Sequence, residues 1–385
     1  MDAKKLLTNK SICALPWTGF ELEPNGNVKN CIISNDIHGN IKDTNIKDIL
    51  ASESNVNLKK AMQADSKPSN CAGCHLQEKN KANLSSISSR LYYLKEIGAK
   101  TDLSLFDDVS NFSLKHVDLR WTNSCNQACV YCVPEYSSKW AQELGIKIKS
   151  NKEARQEVKD FVFENIAELE NVYLAGGEPM LMKENFEFLS LLKKHNPDCS
   201  VRVNTNLSTT QTGIFDLLCS LKNVHWTVSV ESIEHEYEYI RHLGSWKDFT
   251  KNLDVINGLG HKISFNMLHF ILNYRSIFDC IDFLKSKGFH DNSFVAGPLY
   301  SPEYFNLLNL PGRMIEQVKQ ELKQKINSNP LGYLKNSYEN CLQYYNETTW
   351  KKNIDSFYRN ISVMDDRRSV DSRKVFTTLY KELDV

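Results

Sequence analysis

From about residue 114 onward, short runs of β-forming residues alternate with helical stretches, and this rhythm limits the possible folds more than any other feature of the chain. Strands are expected near 116–122, 171–175, 200–205, 223–230, 262–268 and 292–297, with helices near 136–168 (broken around 149–151), 182–194, 210–220, 245–257 and 274–287. Such alternation implies βαβ crossovers and a parallel sheet. Within the strands one parity is apolar, as in Val117, Leu119, Trp121, Val172, Leu174, Val201, Val203, Trp226 and Val228. The other parity is polar: Asp118, Arg120, Tyr173, Arg202, Asn204, Ser229, Glu231 and Asn266. Successive side chains on a strand point to opposite faces, so one face packs on helices and the other is polar. A parallel sheet covered on both faces would be apolar at both parities. A closed eight-stranded barrel would fill its interior with branched apolar side chains. Six strands with a polar inner face instead predict an α/β fold, a partial (β/α)6 TIM-like barrel curved around a hydrated chamber. The competing architecture, an antiparallel sheet with one wet face, is opposed by the intervening helices.

Residues 1–80 read as a small module in which Thr18–Glu23 and Asn27–Ile33 flank Pro24-Asn25-Gly26, a hairpin signal. Short helices are expected near 46–51 and 55–62. Residues 81–113 form a linker with a helix near 85–97, the barrel occupies 114–307, and 308–385 is a helical extension. The final stretch, including Asp365-Asp366-Arg367-Arg368, shows no strong periodicity. The 47 basic and 47 acidic side chains cancel, which leaves no global footprint for nucleic acid or an anionic membrane. No window approaches the apolar length of a membrane span, and Met1–Asn9 lacks a signal-peptide core, so the chain reads as cytoplasmic.

Seven of the eleven cysteines fall into two groups, while Cys199, Cys219, Cys280 and Cys341 are scattered. Cys219 and Cys280 read as small buried hydrophobes. In Cys125-Asn-Gln-Ala-Cys129-Val-Tyr-Cys132, directly after the first barrel strand, three thiolates can surround one four-iron cluster and leave one iron open. Structural zinc would want a fourth protein ligand, and no nearby histidine supplies one. In the second group, the Asn25-Gly26 turn brings Cys31 towards Cys13, and Cys71-x2-Cys74 is a two-ligand knuckle. Four thiolates make a closed site that suits either tetrahedral zinc or a [4Fe-4S] cluster. His75 reads as a surface residue.

The three-cysteine loop, with Tyr131 at its aromatic position, resembles the signature of the radical SAM superfamily. The resemblance implies an open iron that chelates S-adenosylmethionine, and reductive cleavage of that cofactor to a 5′-deoxyadenosyl radical. Matching positions imply further roles. Tyr131 would lie near the adenine, and Gly176-Gly177-Glu178-Pro179 resembles the turn that holds the methionine ammonium. The segment Asn204-Thr205-Asn206 and Ser229 would lie near the nucleoside, and Arg241 would clamp the methionine carboxylate. Glu231 and Ser232 stand where peptide-modifying members have Asp-Gly. Cys13-x12-Gly26-x4-Cys31 followed by Cys71-x2-Cys74 resembles the auxiliary-cluster segment of the SPASM/twitch group, in the shorter twitch form and placed before the barrel. Two [4Fe-4S] clusters are thereby implied, one on Cys125, Cys129 and Cys132 and one on Cys13, Cys31, Cys71 and Cys74.

The expected activity is hydrogen-atom abstraction, with a reductant such as flavodoxin or ferredoxin as partner. The leading expectation for the substrate is a peptide or protein side chain; the alternative is a small polar metabolite such as a sugar or nucleotide. A third reading, a non-catalytic cysteine–metal protein, is opposed by the intact loop, the Gly-Gly-Glu turn and Arg241. Chamber candidates are Asp118, Arg120, Tyr173, Arg202, Glu231, Asn266 and Tyr300.

Overall fold

The computed structural model describes residues 8–79, 88–98, 100–148 and 152–384. The expected helix break around 149–151 and the start of the linker helix at 85–87 lie outside the described residues. The chain divides into two compact units. Met1–Cys125, Pro134–Thr205 and Gln211–Trp226 make the first; Asn126–Val133, Asn206–Thr210 and Thr227–Val385 make the second.

In the first unit the sheet order is β3-β2-β1-β4-β5-β6. Its strands are β1 (Gly19–Leu22), β2 (Asn27–Lys29), β3 (Gly39–Asn40), β4 (His116–Leu119), β5 (Asn171–Leu174) and β6 (Ser200–Thr205). The N-terminal hairpin is antiparallel, but β1 then runs parallel to β4, and β4–β5 and β5–β6 are parallel too. The expected parity holds. Phe20, Leu22, Val117, Leu119, Val172, Leu174, Val201 and Val203 are all buried against the helical layer. Helix Lys183–His195 contributes Phe188, Leu189 and Leu192 to that layer, spaced to share one face. The hairpin turn needs Gly26, whose φ is +92° and whose added Cβ would meet Asn40 Oδ1 at 2.9 Å. Strand β2 ends earlier than expected because the chain turns at Asn30, whose buried amide bonds His38 and Asn55.

A second apolar cluster holds the N-terminal module together. Ile12, Cys13, Ala14, Leu15, Trp17, Leu58, Met62, Ile97 and Phe106 are buried there, and Trp17 meets Phe106 edge-on at 5.6 Å. Replacing Trp17 by alanine would cost about 3–5 kcal/mol from lost burial and the cavity left behind.

Strand β7 (Val224–Ser229) begins in the first unit, where Val201 N–H donates to Asn223 C=O (2.9 Å). In the second unit Val230 N–H donates to Asn266 C=O (3.3 Å), and β8 (Lys262–His269) pairs in parallel with β9 (Phe294–Pro298). Helices Trp246–Asn257 and Ser276–Ser286 bury Phe249, Leu253, Ile256, Phe278, Ile281 and Leu284. The C-terminal part is helical, as expected. Its last stretch is more regular than the sequence reading allowed: helices span Ile354–Arg368, Ser372–Val375 and Thr377–Leu383. Phe357, Ile361 and Met364 supply the buried stripe of the first of these. Helix Glu234–Ile240 was also not foreseen. Among the described residues no helix is long and apolar enough to cross a membrane.

Candidate functional site

In the first unit, the turn after β5 is pressed onto the chain leaving β4. Gly177 N–H donates to Thr122 C=O (3.2 Å) and Glu178 N–H to Ser124 C=O (2.7 Å). An added Cβ at Gly177 would lie 2.1 Å from Ser124 O, so no side chain fits there. Gly176, at φ +107°, would meet Thr122 O at 3.0 Å. Two glycines are therefore required by close backbone approach, immediately before Cys125. Cys125 is half-buried; its N–H donates to Ser138 Oγ (3.1 Å), and Ser138 Oγ–H donates to Cys125 C=O (3.0 Å). Glu178 is 1% exposed, and its Oε1 accepts from Thr205 Oγ1 (2.7 Å) and Met180 N–H (3.2 Å). Pro179 is buried and opens the short turn that follows, while Asn204 on β6 is half-buried.

The polar face of the same unit forms a row in register. Lys29, Glu21, Asp118, Tyr173 and Arg202 stand opposite one another across β2, β1, β4, β5 and β6. Arg120 forks onto Asp118 (3.0 and 2.9 Å) and reaches Glu21 at 3.2 Å. Burial pushes the Glu21 carboxyl up to about 7, with the Asp118 charge adding to the effect. Burial likewise raises Asp118. Arg202 lies over the Tyr92 ring at 5.5 Å. Glu21 was missed in the sequence reading. Its signal was the polar parity of Gly19–Leu22, which becomes informative only once β1 joins the parallel strands.

The four N-terminal cysteines lie within one another's electrostatic reach. Burial raises Cys13 well above an ordinary thiol, with Cys31, Cys71 and Cys74 adding to it. Burial pushes Cys31 up to about 11 and Cys71 up to about 12. Thiols that oppose one another's ionisation suit a cationic iron core, which removes the repulsion by taking all of them as ligands. Among the described residues no three His, Cys, Asp or Glu side chains are gathered as a single metal ion would require. His75, expected at the surface, is 8% exposed, and neither ring nitrogen has a hydrogen-bond partner among the described residues. Its helix turns it inward beside Cys74.

In the second unit the loop 126–133 is bound to the segment after helix Glu234–Ile240. Ala128 N–H donates to His242 C=O (2.9 Å) and Val130 N–H to Ile240 C=O (2.8 Å). These bonds set Cys129 opposite Arg241, whose Nη1 lies 3.7 Å from Cys129 Sγ. Burial raises the Cys129 thiol; Arg241 counters that, Glu231 reinforces it, and Arg368 of the C-terminal helix counters it again. Tyr131 donates to Glu231 Oε1 (2.9 Å) and sets its ring edge against Phe270 at 5.7 Å. Asn206, the last residue of the Asn204-Thr205-Asn206 segment, donates to Asn126 Oδ1 (3.0 Å), and Asn126 donates to Ser208 Oγ (2.8 Å). Cys132 and Ser229 are half-buried. Of the remaining chamber candidates, Asn266 and Tyr300 are exposed, whereas Glu231 is buried in an ion pair with Arg241. Cys280 is fully buried, as expected; Cys219 is only half-buried.

A parallel α/β protein whose first sheet strand after the hairpin runs into a three-thiol loop, beside a glycine turn with no room for side chains, has the layout expected of an iron–sulfur protein. Residues 119–286 match the radical SAM superfamily model, and residues 13–75 match that of an iron–sulfur cluster-binding domain, SPASM. Similarity to the radical SAM superfamily thus covers residues 119–286, and similarity to the iron–sulfur cluster-binding domain lies at the N-terminal end. Among curated proteins it is similar to GTP 3′,8-cyclase of Campylobacter lari, 24% identical over 200 residues, covering 49% of this chain and 60% of that one. GTP 3′,8-cyclase of Sulfurimonas denitrificans is 28% identical over 176 residues, covering 43% and 51%. The chain thus spans 60% and 51% of the length of these relatives. Among solved structures, native anSMEcpe with bound AdoMet matches with a TM-score of 0.43 at 16% identity, over 57% of this chain and 63% of that one. Streptococcus suis SuiB bound to S-adenosylmethionine matches with a TM-score of 0.40 at 15% identity, over 73% and 62%. The donor sets fit the groups the family carries, S-adenosylmethionine and [4Fe-4S] clusters.

Proposed function

We propose that this protein is a radical SAM enzyme that abstracts a hydrogen atom from a small polar metabolite of the sugar or nucleotide type. The carrying observation is the charged row on the polar strand face: Glu21, Asp118 and Arg120 are buried, and Arg202 is half-buried, with Tyr173 between Asp118 and Arg202. Such a floor offers fixed donors and acceptors to a hydroxyl-rich or anionic ligand and little apolar surface to a peptide side chain. The curated relatives support the same direction. They are named as GTP 3′,8-cyclases, which favours the small-metabolite alternative over the peptide substrate expected first.

Cys125, Cys129 and Cys132 would hold the S-adenosylmethionine-binding cluster, and Cys13, Cys31, Cys71 and Cys74 the auxiliary one. When bound and reduced, the first cluster supplies the electron that cleaves S-adenosylmethionine to a 5′-deoxyadenosyl radical. The Gly176-Gly177-Glu178 turn presents backbone groups and a carboxylate whose Oε1 is fixed by Thr205 and Met180. Glu21, with its raised carboxyl, can accept or return a proton beside a bound substrate near neutral pH.

The test is anaerobic reconstitution followed by assay of 5′-deoxyadenosine with purine and pyrimidine ribonucleotides, nucleotide sugars and a peptide panel. Deuterium moving from a labelled nucleotide or sugar into 5′-deoxyadenosine is the expected result. Label transfer from peptides alone would overturn the substrate class.

A further inference from the structure

Arg241 is expected by resemblance to clamp the methionine carboxylate, yet one edge of its guanidinium is already committed. Nε donates to Glu231 Oε2 at 2.8 Å and Nη2 to Glu231 Oε1 at 2.7 Å, a two-point fork between residues 3% and 1% exposed. Glu231 is itself fixed. Tyr131 Oη–H donates to its Oε1 (2.9 Å), and Asn273 Nδ2–H donates to its main-chain carbonyl (2.9 Å). With that edge taken, Nη1 faces Cys129 Sγ at 3.7 Å. The backbone enforces the same pairing. Residues 128 and 130, on either side of Cys129, bond to the carbonyls of residues 242 and 240, on either side of Arg241.

We infer that Glu231 is a positioning residue that turns the Arg241 guanidinium onto the Cys129 sulfur, and that Arg241 serves chiefly the cluster-ligating sulfur rather than the methionine carboxylate. A buried N–H donor with a positive charge stabilises negative charge on a sulfur ligand, and more so after the cluster gains an electron. Hydrogen bonds and net charge around the sulfurs are among the main levers on the potential of an iron–sulfur cluster. Glu231 both aims this charge and offsets part of it. The inference rests on the 125–132 loop holding a cluster, and it is independent of the substrate.

Redox titration of the reconstituted full-length protein, followed by electron paramagnetic resonance of the loop cluster, reads this directly. Equilibrium binding of S-adenosylmethionine to the same preparations provides the second measurement. Arg241→Met is expected to lower the midpoint potential and to weaken S-adenosylmethionine by no more than about fivefold. Glu231→Gln loses the two-point carboxylate fork that aims the guanidinium, so it is expected to lower the potential in the same direction as Arg241→Met. A rise, the result of simply removing a nearby negative charge, would overturn the positioning role of Glu231. Should Glu231→Gln fail to fold, Arg241→Met alone decides the matter. An unchanged potential together with a loss of S-adenosylmethionine affinity of about 100-fold or more would overturn the inference and restore the carboxylate clamp. A wild-type protein that takes up iron only at the N-terminal cysteines would overturn both this inference and the cofactor assignment beneath it.

Discussion

Cys13 lies among Ile12, Leu15, Trp17 and Phe106, and after burial the other thiols of its own group do most to raise it. Cys129 is equally buried, yet a guanidinium stands 3.7 Å from its sulfur and a carboxylate behind that guanidinium. In the first group Cys13 is thus set in apolar packing and opposed mainly by its fellow thiols, with the Arg90–Glu78 pair acting at Cys74. The other group is set in a charged frame that can be adjusted residue by residue. The first arrangement suits a fully ligated cluster held for its fixed charge and rigidity. The second suits a cluster whose electron must be delivered on demand, where potential matters more than stability.

The sharpest way to break this comparison is to remove one thiol from each group. Cys129→Ser is expected to abolish 5′-deoxyadenosine formation. Cys74→Ser should lower iron from about eight to about four per chain while dithionite-driven cleavage of S-adenosylmethionine persists. Iron analysis and product chromatography check both. Loss of cleavage in Cys74→Ser to the same degree would erase the distinction.

The glycines beside the two groups come next. Gly177→Ala drives a methyl into the Ser124 carbonyl, a backbone atom that cannot step aside, and should cost about 3 kcal/mol in denaturant unfolding of the cluster-free chain. Gly73→Ala, inside the Cys71–Cys74 knuckle, meets only the Cγ2 methyl of the exposed Ile33 side chain at 3.0 Å and gains helix propensity. Its stability should stay within about 1 kcal/mol of wild type.

The smallest effect expected is a pH dependence in the N-terminal module. Lys59 is 1% exposed, donates to Val109 and Asn111 carbonyls (3.1 and 2.9 Å) and lies 5.5 Å over Trp17. Burial pulls its ammonium down to about 8 from an ordinary value near 10.5. Between those values an unfolded Lys59 binds more protons than a folded one, so its contribution to stability rises with pH across that window, while the raised thiols act in the opposite sense above pH 9. The stability of wild type relative to Lys59→Met should therefore rise between pH 7.5 and 10, which parallel urea titrations of the two would detect; a constant difference would remove the Lys59 contribution.

Much of the barrel was legible because its information is local. Val172 and Leu174 against Tyr173 give the parity, and Gly176-Gly177 mark a turn that permits no side chains. Non-local facts were less accessible. Nothing in Gly19–Leu22 by itself says that it will lie parallel to β4, so Glu21 went unread although it borders Asp118. Strand parity placed Glu231 correctly on the polar side, but parity does not reveal that Arg241, ten residues later, will fork onto it. His75 was misread because a polar residue beside a ligand knuckle gives no indication of which way its helix turns. The Phe357, Ile361 and Met364 stripe was present in the sequence, but it was masked by the charged run that ends the same helix.

The parallel pairing of β1 with β4 also bears on how such proteins can be cut and recombined. The N-terminal hairpin is a wall shared with the catalytic sheet rather than an attachment to it. A chain trimmed back to residue 114 would leave His116–Leu119 as a raw strand edge and strip Arg120 of one of its two carboxylates. Chimeras that borrow this barrel therefore need to bring the hairpin with it, and a foreign module grafted there must first learn to be a strand.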